Sequence, residues 1–221
     1  MGVSDNIIYY NLFHPIIEPK GTVALLGFSD NTKFEGDLYD LQLGNWNINS
    51  DWTLNKKYET IICLRAAYFA EKPKEFLKRC YNSLEDGGYL YVDWALGDHW
   101  RNPPFDFKIG WFKNGEHEYA YEEGNYLWSG FFDRTLYTTL YNTSKAFAYF
   151  RSCLPKKYKI DTIEELEKIL VEEIPSLISF EDMTEYFEVE VVNDFSIRGQ
   201  LGLPAYYLLF KLKKRRNNEI I

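Results

Sequence analysis

The sequence predicts an α/β fold built on a mostly parallel sheet, with a C-terminal antiparallel hairpin and an inserted antiparallel meander. Three observations predict it. In Tyr58–Leu96 an apolar, β-branched run (Thr60–Leu64) leads to a helical pattern from Pro73, then to Gly87-Gly88, then to a second apolar run, Tyr89–Trp94. Strand, amphipathic helix, glycine stop and strand make a right-handed βαβ unit with parallel strands. An earlier buried run, Thr22–Phe28, carries a glycine near its end. Late in the chain, Glu188–Phe195 and Ala205–Leu212 flank a compact turn, Gly199–Pro204, and read as the closing hairpin.

Taken in order, residues 1–20 read as a short leading helix or arm, apolar from Ile7 to Phe13, then an extended approach through Pro15 and Pro19. Thr22–Phe28 is a strand buried on both faces. Gly27-Phe28-Ser29-Asp30-Asn31 forms a small, polar loop at its carboxyl end, where open α/β sheets border a ligand crevice. Residues 32–57 lack a convincing amphipathic helix and offer a strand at Leu38–Leu43 and a polar run from Gly44 to Trp52. The first crossover is therefore abbreviated, or its helix reduced to a turn. In the central unit Pro73 suits a first helical turn, and Phe76, Leu77, Cys80, Tyr81 and Leu84 form the buried stripe. Gly87-Gly88 supplies the left-handed backbone of a helix end.

After a loop at Asp98–Pro104, Phe107–Phe112 and Glu116–Tyr121 flank Asn114-Gly115, a strong hairpin signal. A third run, Tyr126–Phe132, extends it to a meander over 105–133, rich in Trp111, Tyr119, Tyr121, Trp128 and Phe131. Helices are predicted from Thr143 or Ser144 to Cys153 and over Asp161–Ile174, the latter with an Asp161/Glu164 capping box. A short helix near Glu181–Phe187 precedes the hairpin.

The 221 residues read as a single domain, 1–221, with an insertion at about 100–160. No apolar run approaches the ~20 residues of a membrane span, and the acidic start does not read as a signal peptide. Cys63, Cys80 and Cys153 are scattered, and the first two fall on buried faces, which points to core thiols in a reducing, cytoplasmic setting. The net charge of −8 excludes a uniformly basic nucleic-acid-binding surface and leaves room for a local patch. The one basic cluster, Lys211, Lys213, Lys214, Arg215 and Arg216, reads as a solvated tail.

This order of elements resembles the class I S-adenosylmethionine-dependent methyltransferases, a Rossmann-like fold. Gly44–Trp94 is similar to that family's third strand and acidic turn, fourth strand, crossover helix with its Leu84-Glu85-Asp86-Gly87-Gly88 end, and fifth strand. Phe187–Leu212 resembles its closing hairpin, and together the two pieces cover about half of the chain. The sequence departs from the family at the glycine-rich loop, where Leu25, Gly27 and Ser29 stand for an acidic-x-Gly-x-Gly pattern. The acidic residue for the cofactor ribose has two candidates, Asp37 and Asp40.

The resemblance implies S-adenosylmethionine as cofactor and a site at the carboxyl rim of the sheet. The first loop would bring Gly27, Phe28 and Ser29 close to the cofactor, with Asp40 on the ribose. Asn45 and Trp46 stand where the family has an acidic residue beside adenine, and a capped turn is the plain alternative for them. Leu64, Arg65 and Tyr68 end the next strand, in the loop that faces methionine moiety and substrate. An Arg leaving a buried strand must be paired, so a carboxylate on ligand or protein is implied for Arg65. Asp93 ends the following strand, and His99 in the loop after it is the best general-base candidate. Asp93, Asp98 and His99 could be metal ligands, but nothing else in the sequence supports a metal.

Methyl transfer from a sulfonium asks the protein mainly to align the reactants and take up a proton. The implied acceptor is small or aromatic rather than duplex nucleic acid, given the acidic charge. No membrane partner is implied, and the aromatic meander reads either as a lid over a planar substrate or as a homo-oligomer face. A rival reading is a catalytically inactive descendant of the fold that serves as a binding or assembly subunit. A nucleotide-binding oxidoreductase is disfavoured by the missing GxGxxG.

Overall fold

A computed structural model of the protein describes residues 12–95, 110–113, 116–119, 130–131, 177–198 and 204–216. Its strands are β1 (Val23–Leu26), β2 (Asp37–Tyr39), β3 (Tyr58–Cys63), β4 (Leu84–Ala95), β5 (Gly110–Lys113), β6 (Glu116–Tyr119), β7 (Gly130–Phe131), β8 (Leu177–Ile178), β9 (Phe187–Arg198) and β10 (Pro204–Lys214). The helices are α1 (Pro73–Ser83) and α2 (Phe180–Thr184). Six strands form one sheet in the order β2-β1-β3-β4-β10-β9. The first four run parallel, and β10 pairs antiparallel with both β4 and β9. The predicted α/β fold with its antiparallel closing hairpin is what the chain adopts.

Strand alternation puts apolar side chains on both faces of this sheet, and each face is covered. Ala24, Leu26, Ile61, Cys63, Leu90, Val92, Trp94, Phe210 and Leu212 pack with Phe76, Leu77, Cys80 and Tyr81 of α1 and Met183 of α2. Burying each of the large side chains stabilises by about 1.5–3 kcal/mol. Leu25, Ile62, Leu64, Tyr91 and Leu209 face the other way, onto Phe13, Ile17, Phe28 and Phe34. The Tyr91 hydroxyl donates to the Glu18 carbonyl at 3.2 Å and fixes that N-terminal cover.

The abbreviated first crossover is confirmed: bends and turns, with no helix, connect β1 to β2. The second strand is shorter than Leu38–Leu43, because the chain turns at Asp40. Pro73 opens α1 as expected. Its end differs: α1 stops at Ser83, and Leu84 already belongs to β4. Gly87, with φ +78°, is left-handed inside a bulge where Tyr58 pairs with Leu84 but Thr60 with Tyr89. Glycine is needed there for the strand, not for the helix end. The helix expected near Glu181–Phe187 lies at Phe180–Thr184, begun by a Ser179/Asp182 capping box.

β5 and β6 form the predicted hairpin around 114–115. The third run finds another partner, since Gly130–Phe131 pairs in parallel with Leu177–Ile178. The helices predicted over 143–153 and 161–174, and the turn at 199–203, lie outside the described residues.

Lys211, Lys213 and Lys214 are not a solvated tail. They belong to β10, and each has a carboxylate neighbour. Lys214 is buried, with Nζ donating to the Leu84 carbonyl at 2.7 Å and standing 3.4 Å from Asp86. Cys63 and Cys80 are free, buried thiols, which burial pushes well above the ordinary thiol range.

Candidate functional site

From β1 the chain passes to β2 on one side and then to β3 on the other, so strand order reverses between β1 and β3. In open α/β sheets the crevice outside the carboxyl ends at such a switch is where ligands bind. Three loops meet here: 27–36 after β1, 40–57 after β2, and 64–72 after β3.

Gly27 has φ +80°, a conformation that suits glycine, and its N–H donates to the Tyr39 carbonyl at 2.7 Å. A Cβ at Gly27 would come 2.7 Å from the Ala66 Cβ. The first loop is thus held against the third by direct packing. Phe28 is buried on the N-terminal side of the sheet, edge-on to Phe34 at 6.0 Å. Ser29 is half-buried beside it.

After β2, Asp40 Oδ1 accepts from the Gln42 N–H at 2.7 Å, and the Asn45 amide spans the turn. Asn45 Nδ2 donates to the Leu38 carbonyl at 2.8 Å, and its Oδ1 accepts from Asp40 N–H at 3.0 Å. Both ends of that amide serve the turn. Trp46 lies in the core on the α1 side, T-shaped to Trp52 at 5.7 Å. Its indole N–H is buried with no hydrogen-bond partner. Phe28 and Trp46 therefore sit on opposite faces of the sheet and do not converge.

Arg65, Tyr68 and Asp93 do come together. Arg65 is buried and left-handed, with φ +57°. Its N–H donates to Asp93 Oδ1 at 2.5 Å, and its Nη1 to Oδ2 at 3.3 Å. Its guanidinium stands 5.0 Å from the centroid of the Tyr68 ring, a cation–π contact. Asp93 is fully buried, so the carboxylate that Arg65 required is the protein's own. Leu64 is core, under Phe28's layer. His99 and Asp98 lie outside the described residues.

Asp37, the other ribose candidate, has different work. It accepts from the Tyr58 hydroxyl at 2.7 Å and pairs with Lys56 at 3.0 Å. These contacts, Tyr58's first, hold its carboxyl below the usual carboxylate range against a smaller opposing effect of burial. With its one proton given to Asp37, Tyr58 accepts from Tyr39 at 2.7 Å, and burial pushes the Tyr58 phenol far upward.

Two rim residues carried no sequence signal. Ala66 fills the space beside Gly27. Asn49 clasps a 3-10 turn at Ala67–Phe69, its Nδ2 donating to the Phe69 carbonyl at 3.1 Å and its Oδ1 accepting from Glu71 N–H at 2.9 Å. A lone alanine or asparagine in a loop gives no pattern, because its partner lies in another loop.

No protein-family model and no curated protein sequence matches this chain. Solved structures do match. An S-adenosylmethionine-dependent methyltransferase from Methanosarcina mazei is 10% identical, with 93% of this chain and 98% of that one covered at a TM-score of 0.44. One from Clostridium acetobutylicum is 10% identical over 89% of this chain and 76% of its own, at a TM-score of 0.39. A glycopeptide N-methyltransferase complexed with S-adenosyl-L-homocysteine is 11% identical over 89% and 84%, also at 0.39.

Proposed function

We propose that this chain is an S-adenosylmethionine-dependent methyltransferase acting on a small or aromatic acceptor, with its cofactor held at the switch point between β1 and β3. One observation carries the reading: the ends of β1, β3 and β4 bring a left-handed Gly27 and the Arg65–Asp93 pair to that switch point.

Some rim groups fit the cofactor and others do not. The Arg65 guanidinium is assigned to the carboxylate of the methionine moiety, since its planar fork of donors matches a carboxylate. Asp40 suits the ribose hydroxyls, and Ser29 lies in the same loop as Gly27. Phe28, Leu64 and Trp46 are committed to the two cores and Asn45 to its turn, which takes all four away from the adenine. When bound, the cofactor supplies the activated methyl group. Asp93 positions Arg65, and through Arg65 the third loop. His99, four residues past the end of β4 in sequence, is assigned the proton of the acceptor. A reducing, cytosolic setting accords with the free Cys63 and Cys80, and among the described residues no helix is long and apolar enough to cross a membrane.

A second reading, a non-catalytic descendant of the fold, is favoured by Gly27 packing on Ala66. Calorimetry with S-adenosylmethionine and S-adenosylhomocysteine separates the two. The first reading expects binding that Arg65→Ala abolishes. No heat with either compound overturns it and leaves the second.

A further inference from the structure

We propose that a groove at the opposite end of the sheet is a separate binding site for the phosphates of a nucleotide. One wall is the polar stripe of α1, where Glu75, Lys78, Arg79 and Asn82 follow at i, i+3, i+4 and i+7, turned away from the buried Phe76, Leu77 and Cys80. The other wall is the segment 51–57, which leads into the amino end of β3. The groove has a volume of about 610 Å³ and is open to solvent. It lies away from Gly27 and Arg65, which stand at the carboxyl ends of the strands.

Its charge runs against that of the chain. In a molecule of net charge −8 this groove gathers Lys56, Lys57, Lys78 and Arg79 against Asp51 and Glu75. Both acids already have cations: Arg79 Nη1 meets Asp51 at 2.6 Å, and Lys72 meets Glu75 at 3.3 Å. Lys56 is held by Asp37 at 3.0 Å. Among the described residues Lys57 and Lys78 pair with no carboxylate, and the groove's lining carries more cations than acids.

Arg79 is fixed in place, donating to the Trp52 carbonyl at 3.0 Å with its guanidinium 5.8 Å from the Trp52 ring centroid. With Arg79 held by Asp51, the ammonium groups of Lys57 and Lys78 in the same lining are the donors for an anion with several oxygens, which is the chemistry of phosphate. The space exceeds what one phosphate needs, and the half-buried Leu54 supplies apolar surface for a base.

The test is calorimetry on the full chain with ATP, inorganic phosphate, a single-stranded ten-nucleotide RNA and poly-glutamate. The double variant Lys57→Glu/Lys78→Glu serves as control, since both residues are exposed and its thermal midpoint should match that of the parent. ATP is expected to bind, and the double variant to weaken it by about tenfold or more through two lost charge-assisted contacts. Absence of ATP binding, equal binding by the variant, or equal binding of poly-glutamate overturns the proposal. RNA binding much tighter than ATP, with a steeper salt dependence, overturns the nucleotide assignment in favour of a polynucleotide. S-adenosylmethionine carries no phosphate, so this outcome and that of the rim site are independent.

Discussion

Asp93 holds Arg65 twice, through the main-chain N–H and through the guanidinium, with one oxygen for each. The first bond stabilises a left-handed backbone in a residue with a side chain, a conformation costing roughly 1–2 kcal/mol. The second neutralises a guanidinium that is buried with its partner.

Asp93→Asn keeps the acceptor for the N–H but removes the charge. Breaking one side of a buried pair costs about 3–5 kcal/mol. Urea unfolding should show a loss of that order, and Asp93→Asn/Arg65→Met should lose much less than the sum of the single changes. Additivity within about 0.5 kcal/mol would mean that the two side chains are not coupled.

Gly27→Ala meets two obstacles, its positive φ and the Ala66 methyl group. Together these should destabilise the fold by about 2–4 kcal/mol. Adding Ala66→Gly clears the clash and leaves the backbone cost, so the double variant should recover part of the loss. Full recovery in thermal unfolding would show that φ carries no penalty here.

Asp37 makes stability depend on acid. Its folded-state pKa is depressed by the Tyr58 hydroxyl and then by Lys56. Such a group adds stability above its unfolded pKa of about 3.9, and the contribution is lost as pH falls through the lower folded value. The thermal midpoint should therefore drop as pH falls below about 4, and Asp37→Asn should drop less. Parallel curves for the two proteins would remove Asp37 from the account.

Lys214→Met leaves the Leu84 carbonyl without its donor at the α1–β4 junction. A loss of about 1–3 kcal/mol is expected, with faster amide exchange at the start of β4. Lys213→Met, one residue earlier and 40% exposed in its side chain, should change stability by no more than about 0.5 kcal/mol.

The parts of the fold that were legible in the sequence are those set by local periodicity. β1, β3, α1 and the closing hairpin all follow from apolar spacing, and Pro73 marked the helix start correctly. The glycine pair misled because Gly87 is equally at home at a helix end and in a strand bulge, and only the pairing of Tyr58 with Leu84 decides between them. The last strand, read as Ala205–Leu212, runs on to Lys214, and the lysines past Leu212 looked like a tail because no apolar residue follows to extend the alternation of Leu208, Phe210 and Leu212. At the rim, burial demanded a partner for Arg65 but could not name it. Asp93 is 28 residues away in sequence, and only strand pairing makes the two neighbours.

The sheet order also sets a sequence of events in synthesis. β10 lies between β4 and β9, although it leaves the ribosome after both. Until it is made, β4 presents an unpaired edge beside the apolar Leu90, Val92 and Trp94, and β9 has no neighbour in the sheet. A nascent chain at that stage is poised to bind a chaperone or another copy of itself. Insertion of β10 closes the edge in one step.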